Sequence, residues 1–285
     1  LVDGGVLDSW RLSVSLEDDD TRTYVDEDCK ICWHEDDRLA VFYGDYNNVE
    51  CRFTGATGDK SGDIVPVTAT DGGSPIFDAI YALYPYDENA TCTYVDSEHK
   101  ISTNFPAEQN YAQNSFGRGA NVMVAAGTIP DESEQNLYFR SACGFFVIQL
   151  YGKNVTVKSV KLTALGGEKI AGPATIIAHS DAAPEITMSS EGVSEVTLNC
   201  GNGGKVIGND ITTPTEFWFA LPPTTFEKGV RIEVVDVEGT TYVKKTDKKI
   251  VVERNKIKPM AAIKFAYPTD NQLWYTRHSD SRELM

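Results

Sequence analysis

The sequence of 285 residues contains no apolar run that is long enough to cross a membrane. A membrane-spanning helix needs about 20 consecutive apolar residues, and no stretch of this chain approaches that length. The opening Leu1–Gly5 also lacks the basic start and the apolar run of a signal peptide. Two interpretations fit this opening: a processed form of an exported protein, and a cytosolic protein that never had a signal.

Basic residues are scarce in the first third of the chain. Residues 1–100 carry 22 acidic and seven basic side chains, a net charge of −15, whereas the whole chain has a net charge of −16. The acidic residues come in short runs such as Asp18–Asp20 and Asp26–Asp28. Such a surface repels phosphate backbones and anionic lipids. Nucleic acid is therefore excluded as a partner of this region.

Histidine is also rare, because the chain has only four, each tens of residues from the next. The sequence contains no G-x-S-x-G elbow, no H-E-x-x-H zinc motif and no P-loop. Pairs of carboxylates, which glycosidases use, are common here, but in an acidic domain they usually lie in solvated turns. The sequence therefore predicts a protein without catalytic residues and without a cofactor.

The six cysteines are too few for a disulfide-rich scaffold. Cys29 and Cys32 have the C-x-x-C spacing of zinc ligands, with His34 close behind, but no second pair of ligands follows. We therefore predict ordinary strand cysteines and no metal at this position. The acidic runs could supply oxygen ligands for Ca²⁺, but they lack the EF-hand spacing, so charged loops are the favoured interpretation.

Alternation of apolar and polar residues with a period of two is the dominant pattern, and it indicates β-strands. Leu12, Val14 and Leu16 alternate with polar residues, and similar segments or short apolar runs recur along the chain. Turns rich in glycine and aspartate separate them, and no capped helical pattern is present. The predicted fold class is all-β, of the sandwich type.

A polar run from Ile129 to Asn136 separates two apolar segments and predicts a domain boundary. The net negative charge lies almost entirely before it. We therefore expect an N-terminal acidic β-sandwich domain over residues 1–132 and a C-terminal β-sandwich domain over residues 133–266. Residues 267–285 are mostly polar and are interpreted as a tail or as the lead-in to a further domain.

A set of short motifs occurs in a fixed order along the chain. They are Thr21–Thr23 followed by Ile31–Phe42, then Tyr81–Pro85, Ile101–Gln109, Thr213–Pro223 and Arg254–Met260. Together they resemble the fimbrillin family, the type V pilins and related surface lipoproteins of gut and oral anaerobes. Asp36 departs from the first motif, because the family usually has glycine there. The resemblance covers the chain from about residue 11 to residue 265.

The resemblance implies a fold and a role. The implied fold is two transthyretin-like β-sandwich domains in tandem. The implied role is adhesion or fimbria assembly without enzymatic activity, after export with a lipobox signal since removed and attachment to the outer membrane by an N-terminal lipid anchor. Expected partners are other fimbrial subunits or ligands on host or bacterial surfaces. The alternative is a carbohydrate-binding surface lipoprotein of a glycan-uptake system, with aromatic residues as the sugar platform.

In the family that the sequence resembles, a protease that cuts after arginine removes the first strand, and a strand of a neighbouring subunit takes its place. Here the candidate removable strand contains Leu12, Val14 and Leu16, and Arg22 is the candidate processing site. Pairing of an exposed sheet edge with a foreign strand is a known mode of protein association. The other interpretation is that Arg22 is a plain loop residue in a relative that does not polymerise.

Overall fold

The computed structural model describes residues 10–17, 31–44, 46–68, 79–127 and 136–265 of the chain. Every regular element within these ranges is a β-strand, so the predicted all-β fold class is confirmed. The segments with alternating or continuous apolar residues form most of these strands.

The described strands before residue 142 are β1 (Leu12–Leu16), β2 (Arg38–Tyr43), β3 (Tyr46–Phe53), β4 (Ser61–Pro66), β5 (Ile80–Tyr84), β6 (Thr91–Val95), β7 (Glu98–Phe105), β8 (Glu108–Ala112), β9 (Ser115–Phe116), β10 (Met123–Gly127) and β11 (Asn136–Ser141). The later described strands are β12 (Gly144–Tyr151), β13 (Thr156–Ala164), β14 (Gly172–Ile177), β15 (Glu185–Met188), β16 (Glu195–Asn199), β17 (Lys205–Val206), β18 (Thr215–Leu221), β19 (Thr224–Phe226), β20 (Val230–Asp236), β21 (Thr241–Thr246), β22 (Ile250–Val252), β23 (Ile257–Pro259) and β24 (Ile263–Lys264).

One sheet closes on itself. Its strands pair in the order β1, β11, β10, β5, β2, β3 and β4, and β4 pairs with β1 again. We call it the closed sheet. Residues from its strands and loops form most of the first hydrophobic core, in which Trp33, Phe53 and Phe139 are fully buried. β1 completes this sheet, because it lies parallel to β11 and antiparallel to β4.

A second sheet lies between two hydrophobic cores. In this central sheet β12 pairs with β18 on one side and with β23 and β24 on the other. Phe145 and Val147 of β12 belong to the first core, whereas Phe146, Ile148 and Leu150 belong to the second. A strand that is buried on both faces needs apolar residues at consecutive positions. This explains why β12 and β18 are continuous apolar runs.

Two of the other sheets join the two halves of the sequence. They have the orders β21-β20-β13-β16-β8-β9, with β17 beside β13, and β15-β14-β7-β6, together with the pair β19-β22. β7 and β8 thus pair with the later strands β14 and β16, while β11 lies in the closed sheet. Most of the predicted junction at 129–136 lies outside the described residues, and the division at residue 132 stays a prediction.

A buried glutamine also links the two halves. The side chain of Gln109 is 3% exposed. Its Nε2 donates to the carbonyl oxygen of Ala220 at 2.7 Å, and its Oε1 accepts from the Ala220 N–H at 3.1 Å. The amide therefore satisfies both backbone groups of Ala220 as a neighbouring strand would. Gln109 and Ala220 lie in two different motifs of the resemblance. These two motifs therefore contact each other in the fold.

The first motif forms a buried polar anchor beside Trp33. Asp37 is buried, and its carboxylate accepts from the His34 N–H at 2.8 Å, Arg118 Nε at 2.7 Å and the Tyr84 hydroxyl at 3.2 Å. Burial, followed by the Asp37 charge, raises the pKa of Tyr84 well above its ordinary value, so the phenol stays protonated as a donor. A buried carboxylate with three donors is stable where an unpaired one would not be.

Asp36, the departure from the motif, lies at a turn with a φ of 61°. This left-handed region favours glycine, and aspartate and asparagine tolerate it better than other residues do. The backbone therefore accounts both for the family's usual glycine and for the aspartate found here.

Candidate functional site

The candidate removable strand β1 is fully integrated into the closed sheet. Val14 is opposite Leu137 of β11 and opposite Gly62 of β4. Leu12, Val14 and Leu16 point into the first core and are 4, 0 and 4% exposed. These side chains are as buried as any in the core. That the strand can be removed remains a prediction.

The solvent-facing side of β1 makes polar contacts. The Ser13 hydroxyl donates to Asp63 Oδ1 at 3.0 Å, and Arg11 Nη1 donates to Asp63 Oδ2 at 3.0 Å. Asn136 Nδ2 donates to Ser15 Oγ at 2.6 Å. Contacts this exposed contribute little to stability. The backbone pairing with β4 and β11, the three apolar side chains and the two ends of the strand therefore hold it in place.

Trp10 anchors the start of β1. Its indole ring is buried and meets the ring of Tyr43 edge-on, with 5.6 Å between ring centroids. Trp10 Nε1 donates to the Tyr43 hydroxyl oxygen at 3.1 Å. The buried indole N–H is thus satisfied, and the ring adds apolar area to the strand's three aliphatic side chains.

Glu17 fixes the other end of β1 through an ion pair. Arg254 Nη1 donates to Glu17 Oε2 at 2.6 Å and Nη2 donates to Oε1 at 2.9 Å, the two-pronged geometry of a strong guanidinium–carboxylate pair. Nη1 also donates to the Ser141 carbonyl oxygen at 3.0 Å. Only 18% of the Glu17 side chain and 23% of the Arg254 side chain are exposed. The pair joins residues from opposite ends of the chain.

The backbone around Arg254 is held tightly. The Asn255 N–H donates to the Cys143 carbonyl oxygen at 2.7 Å, and Asn255 has a φ of 52°. A Cβ atom at Gly144 would collide with the Glu253 carbonyl oxygen, so only glycine allows this approach. The guanidinium is therefore presented from a fixed loop.

Two predicted positions lie outside the described residues. They are the processing site Arg22 and Cys29 of the C-x-x-C pair. The partner cysteine, Cys32, is half-buried, and burial raises the pKa of its thiol. Within the described ranges, no group of three or more histidine, cysteine or acidic side chains is arranged to hold a metal ion. The prediction of no metal at Cys29 and Cys32 stays a prediction.

An aromatic cleft of about 320 Å³ opens beside β6 and β7. The ring of His99 stacks on Tyr81 with 4.5 Å between centroids and contacts Tyr94 at 4.9 Å. Tyr94 is 65% exposed, which is unusual for so large a ring. Burial raises the pKa of the neighbouring Cys92 thiol to about 11, so it is neutral at pH 7. The described lining of the cleft carries no carboxylate.

A groove of about 330 Å³ lies on the central sheet, on the side of the first core. Its lining is mostly apolar and includes Val147, Ile257 and Met260. The Glu216 carboxylate accepts from Gln149 Nε2 and from Trp218 Nε1, both at 2.9 Å. Since Trp218 is itself buried, this groove offers little aromatic surface to a ligand.

Sequence reasoning did not assign a role to Glu17 or Arg254. Glu17 stands beside the acidic run at 18–20, and Arg254 opens the last motif, so both were visible as parts of local patterns. Nothing local indicates that residues so far apart in sequence form a pair. The available signal was the position of Glu17 directly after the third apolar residue of β1.

The fold resembles those of solved structures of cell adhesion proteins. One is a proposed cell adhesion protein from Bacteroides ovatus, with a TM-score of 0.56 and 13% identity, covering 92% of this chain and 93% of that chain. Another, from Bacteroides uniformis, has a TM-score of 0.50 and 13% identity over 90% of this chain and 93% of that chain. The likeness to fimbrillin-type surface proteins that the sequence predicts is thus confirmed at the level of fold.

No protein-family model and no curated protein matches this chain. Among the described residues, no helix has the length and apolar character needed to cross a membrane.

Proposed function

We propose that this chain is a non-enzymatic cell-surface protein that acts in adhesion or fimbria assembly, and that it joins other subunits by β-strand donation. The observation that carries the proposal is β1, which completes the closed sheet and buries three aliphatic side chains in its core. The shared fold with two proposed cell adhesion proteins supports the adhesive role. The partners are other fimbrial subunits or ligands on host or bacterial surfaces.

The proposal includes two further features that the sequence predicts, the two sandwich domains and the lipid anchor. Two hydrophobic cores support a chain of two transthyretin-like sandwich domains that share the central sheet. The precursor is attached to the outer membrane by an N-terminal lipid anchor, which processing then removes. Identification of a lipidated cysteine by mass spectrometry of the native protein tests the anchor. An unprocessed precursor that carries no lipid contradicts it.

Loss of β1 would favour assembly, because the exposed site is stabilised by a replacement strand. Burial of an aliphatic side chain stabilises a protein by about 1.5–3 kcal/mol, so loss of Leu12, Val14 and Leu16 together costs several kcal/mol. Removal also leaves β4 and β11 without a partner along one edge each. Unpaired edges recruit foreign strands. A chain that has lost β1 therefore gains most by accepting a strand of another subunit.

Digestion with an arginine-specific protease, followed by sizing, tests strand donation. We expect a first cut after Arg22, loss of the segment that contains β1, and growth of oligomers. The matched control is Arg22→Gln, which keeps the chain intact at that site and should remain monomeric. First cleavage at another arginine, or a clean cut at Arg22 that leaves a stable monomer, contradicts donation and leaves the adhesive role to be tested separately.

Binding of a neutral saccharide is the second candidate function, and the aromatic cleft favours it. Tyr81, Tyr94 and His99 line the cleft, and aromatic lining with a few polar groups is typical of small-ligand sites. A sugar ring could stack on the exposed Tyr94. This function corresponds to the glycan-uptake alternative.

A glycan array with the intact protein tests saccharide binding. Binding at micromolar strength that is lost in Tyr94→Ala supports the second function. The matched control is Val95→Ala, the next residue of β6, which is also exposed and should bind as the wild type does. Absence of binding to all glycans, or equal binding by both variants, excludes the cleft as a sugar site.

A further inference from the structure

The ion pair at the end of β1 restricts which strand can occupy the β1 position. Arg254 reaches β1 from a loop fixed by the Asn255–Cys143 hydrogen bond and by the close approach to Gly144. The backbone of this loop is therefore fixed independently of β1, and the Ser141 carbonyl oxygen gives the guanidinium one partner outside β1. In the described structure the polar partners of this guanidinium are the Glu17 carboxylate and the Ser141 carbonyl oxygen.

Departure of β1 removes the carboxylate and leaves the positive charge behind. With a strand in the β1 position only 23% of the Arg254 side chain is exposed, so beneath a replacement strand water restores the lost hydrogen bonds only in part. A shielded charge without a counter-charge is costly, whereas a guanidinium–carboxylate pair with two hydrogen bonds is stable. An incoming strand with a neutral residue at this position leaves that cost in place.

The sheet register fixes where the acid must stand. Leu16 is opposite Phe139 of β11, and the Glu17 N–H donates to the Phe139 carbonyl oxygen at 2.8 Å. A shift by one residue would turn the three apolar side chains out of the core. The carboxylate must therefore come directly after the third apolar residue of the strand.

We propose that Arg254 is a specificity-determining residue, which selects a strand for the β1 position by the carboxylate that directly follows its last buried apolar residue. The inference rests on the strand donation proposed above. It defines the partner segment chemically: three apolar residues in alternation, then aspartate or glutamate. A donor strand without that acid fills the apolar positions but leaves Arg254 unpaired.

Competition between two peptides and the intact chain tests the selection. A labelled peptide with the sequence of Trp10–Glu17 is incubated with the full chain in mild urea, and incorporation is followed by gel filtration. The competing peptide carries Glu17→Gln. We expect half-maximal incorporation of the acidic peptide at about one-tenth the concentration that the glutamine peptide needs, because one tenfold step corresponds to one charge-assisted contact.

Reversal of the charge separates selection from a general structural effect. In an Arg254→Glu chain, a peptide with lysine in place of Glu17 should be incorporated in preference to the acidic one. The matched control is Arg11→Gln in the peptide, since Arg11 pairs with Asp63 at the exposed surface and should not change incorporation. Equal incorporation of acidic and glutamine peptides, or an unchanged preference in Arg254→Glu, overturns the inference.

Hydrogen exchange on the intact chain shows, without any peptide, whether the Glu17–Arg254 pair holds β1 in place. Glu17→Gln and Arg254→Gln should each raise the opening rate of the Val14 and Leu16 amides about tenfold, and the double variant should add little more. Exchange as slow as in the wild type overturns the inference. Incorporation of neither peptide, with faster exchange in both variants, counts against strand donation while supporting the pairing at Arg254.

Discussion

β1 and β12 are both strands with two neighbours, but they are buried in different ways. β1 hides one face, with Leu12, Val14 and Leu16 in the first core and its serines at the surface. β12 hides both faces and contributes side chains to two cores. Under the proposed function, a strand with one buried face can be exchanged for another of the same pattern. A strand with two buried faces cannot leave without taking both cores apart.

Truncation of one side chain in each strand should make this difference measurable. Phe146→Ala empties a fully buried site in the second core and should lower the free energy of unfolding by about 3–5 kcal/mol. Leu12→Ala should cost about 2 kcal/mol, at the low end for a buried leucine, because the site lies at the start of β1. Urea denaturation measures both losses.

Hydrogen exchange shows which part of the molecule each truncation destabilises. We expect Leu12→Ala to speed exchange mainly in β1, whereas Phe146→Ala should speed it throughout both cores. Equal acceleration across the molecule in both variants would show that β1 is as integral to the fold as β12.

The link between Gln109 and Ala220 is a second place to test how firmly the central sheet is held. Gln109→Leu keeps a side chain of similar size but leaves the buried N–H and the buried carbonyl group of Ala220 without a partner. We expect a loss of about 2–3 kcal/mol in the free energy of unfolding. Asn104→Ala, at an exposed position of β7, is the matched control and should change stability by less than about 0.5 kcal/mol. A neutral Gln109→Leu would mean that water or another group replaces the amide.

We expect a smaller loss in the free energy of unfolding from substitutions at the turn before β2. Asp36→Val places a β-branched residue at a φ of 61° and should cost about 1–2 kcal/mol. Asp36→Gly and Asp36→Asn should stay within about 0.5 kcal/mol of the wild type, since the ion pair with Arg52 is exposed. Thermal unfolding of the three variants gives the comparison. A destabilised Asp36→Asn would show that the charge matters more than the backbone.

The sequence predicts the strands better than it predicts their neighbours. Alternation identifies β1, because its buried face repeats every second residue, and a continuous apolar run identifies β12. The parallel pairing of β1 with β11 has no local signal, since its partners are separated by more than 120 residues. The same holds for Glu17 and Arg254. Pairing over such distances depends on the assembled fold and not on any nearby pattern.

Closure of the first sheet has a consequence for the timing of assembly. Each described strand of the closed sheet has a neighbour on both sides, so this sheet offers passing chains no edge to pair with. Loss of β1 creates two free edges at once, on β4 and on β11. An uncut chain therefore does not associate through the edges of this sheet. Under the proposed function, a single proteolytic event would start polymerisation only after delivery.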